Sequence, residues 1–210
     1  MKLLQNISIT IVFILLSYLG FCQESSSTDF QRENFEKAEL ALKNNLGREA
    51  LMYYDAVRRF EITNELELKS KNKIDSLLPI YQKQEAEKWI GTWYLKNFKS
   101  EDFRYEKIKF SRTQLFLYLK KNDKTATRIE KINHTQFSGR GVEFFLPINV
   151  LTFANNEKWR FTVEIKSDEI RLFPTNIYDV VMDHRLYLRD PVERQKALAE
   201  EIRSYYVLQK

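Results

Sequence analysis

The spacing of apolar residues changes at Trp89-Ile90-Gly91-Thr92-Trp93-Tyr94-Leu95, and no other feature limits the fold of this chain so strongly. Before that point apolar side chains recur at helical intervals; after it they alternate, as in strands that bury one face. Trp159 to Ile165 is the cleanest case: Trp159, Phe161, Val163 and Ile165 fall on one predicted face, and Arg160, Thr162 and Glu164 on the other. Lys107-Ile108-Lys109-Phe110 and Ile170-Arg171-Leu172 alternate in the same way. The polar stretches 121–124, 155–158 and 167–169 carry turn chemistry, which predicts an antiparallel meander. Leu115-Phe116-Leu117-Tyr118-Leu119 is apolar on both faces and is expected to be covered outside as well as inside, with helices as the obvious cover.

Upstream, Thr28 or Asp29 can cap a helix carrying Phe30, Phe35, Ala38 and Leu42. Asn44-Asn45 before Gly47 supplies a break, and a second helix follows with Ala50, Tyr54, Val57 and Phe60 on its stripe. Thr63-Asn64-Glu65 opens a third, with Leu66, Ile74, Leu77, Leu78 and Tyr81, which Pro79 is expected to kink or divide before Lys88. At the other end Asp190-Pro191-Val192-Glu193 is a helix start, and Leu198, Ile202 and Tyr205 are expected to line one face of a C-terminal helix. The expected class is therefore α+β, divided as leader 1–22, linker and helical hairpins 23–88, β-barrel 89–190 and C-terminal helix 191–210.

The leader rests on Lys2, the apolar run Ile7 to Leu19, and Gly20-Phe21-Cys22, which places small residues where a signal peptidase reads them; the mature chain then begins at Gln23. An uncleaved anchor and lipidation at Cys22 are the alternatives. The apolar run is short for a membrane span, and Phe21 is a poor neighbour for a lipidated cysteine. Cys22 is the single cysteine of the 210 residues, so an internal disulfide is excluded and cysteine-metal chemistry drops out with it.

Gly91-x-Trp93, at the head of the first strand and entered from a helical turn, resembles the opening of lipocalin-like domains. The resemblance covers Trp89 to about Asp190. It implies a small antiparallel barrel with Trp93 at its closed end and an arginine from the end of the last strand laid across the ring: Arg189, or else Arg185. It also implies a ligand held inside, with Leu117, Trp159 and Phe161 among the lining residues. The spacing Ala38, Ala50, Tyr54, Val57 is similar to a single tetratricopeptide repeat, and the Phe-Cys-Gln ending of the leader resembles signal peptides of the Bacteroidota, which implies the periplasm, the outer-membrane face or the medium.

Loss of Lys2 with the leader leaves 33 of the 34 basic residues against 29 acidic ones, a small excess with an uneven distribution. Between Lys96 and Lys131 there are 11 basic and 5 acidic residues, so a contact with an anionic membrane surface is expected there if anywhere; nucleic acid is not expected outside the cytoplasm. For catalysis, only His134 and His184 are available as imidazoles. No phosphate-binding glycine loop, Gly-x-Ser-x-Gly or His-Glu-x-x-His occurs, and no carboxylate pair stands out as acid and base. The expectation is a non-catalytic binding protein, without metal or cofactor, holding a small apolar ligand. The alternative is a cell-envelope interaction module in which a solid barrel carries helices whose Phe35, Tyr53 and Tyr54 meet a protein partner.

Overall fold

The computed structural model describes residues 28–59, 64–98, 103–137, 146–166, 168–178, 189–199, 201 and 203–209. The leader, residues 23–27 of the linker, Phe60, His184 to Leu188 and Ile202 lie outside them. The chain divides into two compact units, residues 1–81 with 137–146, and residues 82–136 with 147–210. Where the sequence suggests a boundary at residue 88, the division falls between Tyr81 and Gln82, within a helix.

The first unit is helical. Helix α1 spans residues 28–43, the turn through Asn45 takes the left-handed conformation (φ 59°) that asparagine tolerates, and α2 spans Gly47–Arg58. Ala38, Ala50, Tyr54 and Val57 are wholly buried, so the small residues let α1 and α2 approach while the tyrosine fills the space between them. Phe35 meets the Tyr54 ring edge-on at 5.6 Å, and the Tyr54 hydroxyl donates to Glu39, which also pairs with Lys73. Helix α3 spans Glu65–Trp89, with Asn64 capping it by accepting from the Glu67 amide at 3.0 Å. Pro79 does not divide it: α3 runs on to Trp89.

The second unit is an antiparallel sheet of eight strands: β1 Gly91–Asn97, β2 Lys107–Phe110, β3 Gln114–Tyr118, β4 Arg128–Lys131, β5 Val150–Thr152, β6 Lys158–Lys166, β7 Glu169–Asn176 and β8 Tyr205–Leu208. Their order is β4-β3-β2-β1-β8-β7-β6-β5. The sheet curls until the chain just beyond one edge strand meets the other. His134 bridges Leu151, the Thr135 amide donates to the Val150 carbonyl at 3.0 Å, and the Thr152 amide donates to the Asn133 carbonyl at 2.8 Å.

The C-terminal segment departs from expectation. Helix α4 covers only Pro191–Ala199, started by Asp190, whose Oδ1 accepts from the Val192 amide at 2.7 Å. The chain then enters the middle of the sheet as β8, between β1 and β7. Tyr205-Tyr206-Val207-Leu208 is an aromatic and β-branched run, and alternation sends Tyr206 into the core, where it is wholly buried. Tyr205 therefore belongs to a strand and not to a helical stripe with Leu198.

Inside the curl lie Trp89, Trp93, Ile108, Phe110, Leu115, Leu117, Phe161, Leu172 and Tyr206, together with Phe103, Leu151, Phe153 and Trp159. The expected outer cover of β3 is partly a lysine: Tyr118 is 9% exposed, with Lys107 Nζ 3.9 Å from its ring centroid.

Candidate functional site: the mouth and the plugged end of the curled sheet

One end of the sheet is plugged by the helix that leads into it. The last turns of α3 are fixed by Gln82, whose buried side-chain amide donates to the Thr135 and Pro147 carbonyls at 2.9 and 3.0 Å. Trp89 and Trp93 are both wholly buried, and the Trp93 indole donates to the Trp89 carbonyl at 2.7 Å. That bond ties the first strand to the helix end, with Gly91 between them at φ +138°, a region favouring glycine. A Cβ on Gly91 would stand 2.7 Å from Leu208 Cδ1. Among the described residues no arginine lies across Trp93. Arg189 is exposed in the bend before α4, well before the last described strand, and Arg185 lies outside the described residues.

The other end, at the 119–127 and 154–157 turns, is open. A hollow of about 300 Å³ there is walled by Phe103, Tyr105, Phe153 and Trp159, with Arg128 and Glu157 at its side. The Phe103 and Trp159 rings lie 4.6 Å apart, and the guanidinium of Arg128 stands 4.9 Å from the Phe153 centroid. Arg128 donates to Glu130 at 2.6 Å and to Glu157 at 3.3 Å, while the Trp159 indole donates to Glu157 at 3.3 Å. Burial disfavours the Glu157 carboxylate, but hydrogen bonds from Asn155, Trp159 and Arg128 outweigh it and hold its pKa below the usual range. The second Glu130 oxygen accepts from the Ala154 amide at 2.9 Å, so this 5% exposed carboxylate is fully engaged.

Leu117, Trp159 and Phe161, the residues expected to line a ligand, all point into the curl, but deep in it they meet one another's neighbours. Phe161 packs against Trp89 at 5.7 Å, Phe110 at 5.2 Å and Phe103 at 6.2 Å, and Leu117 is wholly buried. Trp159 alone of the three also borders the hollow. The patch expected on the helices is likewise reduced, because Tyr54 is wholly buried and Phe35 packs on it.

Sequence reading missed Arg128 and Glu130. In Arg128-Ile129-Glu130 the apolar residue is the one facing out, 54% exposed, and the charges face in. The available signal was two opposite charges two apart in a strand, hence on one face. Among the described residues no group of side chains is arranged to hold a metal ion, and no helix is long and apolar enough to cross a membrane. Comparisons with protein-family models, with curated proteins and with solved structures give no match to this chain.

Proposed function

We propose that this chain is a secreted or periplasmic binding protein with a lipocalin-like barrel and no catalytic chemistry, taking a small planar amphipathic ligand at the mouth and not deep inside. The observation that carries this reading is the hollow beside Trp159. Aromatic rings offer it stacking surfaces, and the Arg128–Glu157 pair offers both a donor and an acceptor at its edge. Its volume is at the lower limit for small-molecule sites, which fits one ring system and excludes a long acyl chain. Filling of the deeper interior by Phe161, Trp89 and Phe110 argues in the same direction.

The test is tryptophan fluorescence of the purified chain against a panel of indole and benzoate derivatives, fatty acids, retinoids and haem. A response to a member of the first group, lost in Trp159→Phe and weakened about tenfold or more in Arg128→Gln, is the expected result. Saturable binding of a fatty acid or retinoid that survives both substitutions would contradict it. Native mass spectrometry of protein from its own cells adds the identity of any ligand carried.

A further inference from the structure

Four basic residues of the 96–131 stretch are visibly occupied within the fold. Lys96 pairs with Glu169, Lys107 donates to the Asp123 carbonyl and covers Tyr118, Lys121 lies over Tyr94, and Arg128 is held by Glu130 and Glu157. Two that are not, Arg112 and Lys131, line the same groove at the plugged end of the sheet, and Lys83 from α3 joins them there. The three cations come from three separate elements: the final turns of α3, the β2–β3 turn and the end of β4. All are exposed at their positions, and none is in an ion pair among the described residues.

We infer that this groove is a binding site for a phosphate-class oxyanion, either free or as the head of a larger molecule. Three like charges sharing one concavity repel one another, and an oxyanion among them converts that repulsion into attraction. The groove encloses about 500 Å³, more than a bare phosphate needs, which leaves room for the group that carries it. Arg112 offers a planar fork suited to two oxygens, Lys83 and Lys131 act as point charges, and Thr113 and Gln114 line the wall as neutral donors. The β2–β3 turn that presents Arg112 is pinned by Ser111, whose hydroxyl oxygen accepts from the Gln114 amide at 2.9 Å.

His134 lies on the inner wall, with its ring 6.1 Å from Trp89 and its buried Nδ1 without a hydrogen-bond partner. Burial lowers its pKa, so at neutral pH the charge of the groove comes from the two lysines and the arginine. Glu87 is the carboxylate nearby: it borders an adjoining hollow that shares Lys83 and Arg112, and it leaves the balance positive. The site is independent of the mouth, whose lining residues are all different.

Amide NMR of the whole chain at constant ionic strength tests the site, with inorganic phosphate in one titration and vesicles in another. The vesicles are of phosphatidylcholine alone and of phosphatidylcholine with an equal part of phosphatidylglycerol. The expected result is saturable movement or broadening of the Thr113, Gln114 and Ile132 signals with phosphate, with the anionic vesicles, or with both. Arg112→Glu is expected to weaken the effect about tenfold or more, whereas Lys124→Glu, which changes the net charge equally in the 119–127 turn, leaves it unchanged. Response to phosphate alone identifies a soluble ligand, and response to anionic vesicles alone identifies a lipid head group. No response at these amides in either titration, or equal weakening by the two charge reversals, would overturn the inference. The melting temperature of each variant, expected to match that of the parent, separates loss of the site from loss of the fold.

Discussion

At the scale of single residues, two glycines hold positions that no larger side chain fits. Gly47 begins α2 so close to α3 that a Cβ would stand 1.7 Å from the Tyr81 hydroxyl oxygen and 2.6 Å from its Cζ, so the ring would have to move. Gly47→Ala is expected to cost about 1–3 kcal/mol in chemical denaturation, with much of the loss recovered in Gly47→Ala/Tyr81→Ala relative to the sum of the single changes. Gly91→Val combines a positive φ with the Leu208 clash and should lower the melting temperature clearly. Trp93 is anchored to the Trp89 carbonyl and Arg189 is exposed in the bend before α4, so Trp93→Leu and Arg189→Ala should add to within about 0.5 kcal/mol in a double-mutant cycle. Coupling beyond that would restore the contact implied by the lipocalin resemblance. Gly91 and Trp93 were legible in the sequence as a pair at a change of period. What was not legible is that the partner of the indole is a backbone carbonyl, which no residue identity announces.

At the scale of elements, β8 decides the integrity of the sheet. It lies between β1 and β7, so a chain ending at Ser204 would leave those two strands without their shared partner. Such a truncation is expected to abolish near-ultraviolet circular dichroism, whereas removal of a terminal surface helix would have left most of it. The segment leading into β8 is fastened by charge. Arg203 donates to both Glu164 oxygens at 2.9 and 3.1 Å and to Glu201, lies 3.8 Å over the Phe173 ring, and with its hydrogen bonds draws the Glu201 pKa down to about 2. A folded-state pKa below the unfolded value means that the stabilisation is present above the usual carboxylate pKa and is lost as pH falls towards 2. Because Arg203 is partly exposed, the contribution is a few tenths to about 1 kcal/mol. Glu201→Gln should therefore destabilise at neutral pH and flatten the decline in stability between about pH 4.5 and 2, measured by urea titration across that range. The sequence announced the cap of α4 through Asp190 and Pro191 but not its end. Five residues separate Ala199 from Tyr205, and only the pull of a central sheet position turns the final aromatic run into a strand.

At the scale of the whole molecule, alternating residues predicted an antiparallel sheet, and the pairing of β3 with β4, of β5 with β6 and of β6 with β7 follows from that pattern and its turns. The filling of the curl does not follow from it. Volume is a sum over side chains from every strand, and the inward turn of Arg128 and Glu130 reverses what their polarity suggests. Leu117 and Phe161, expected inward, lie in the buried core cluster of the curl. Hence the proposal that the curled sheet binds at its mouth and not among the packed side chains beneath. Methyl NMR of leucine-labelled protein tests it most directly, because Leu119 borders the mouth hollow while Leu115, Leu117 and Leu172 are buried below it. On titration with the indole and benzoate panel and with oleate, the Leu119 methyls are expected to move with a planar ligand while the other three signals stay steady; saturable movement of Leu115, Leu117 and Leu172 with oleate would contradict the proposal.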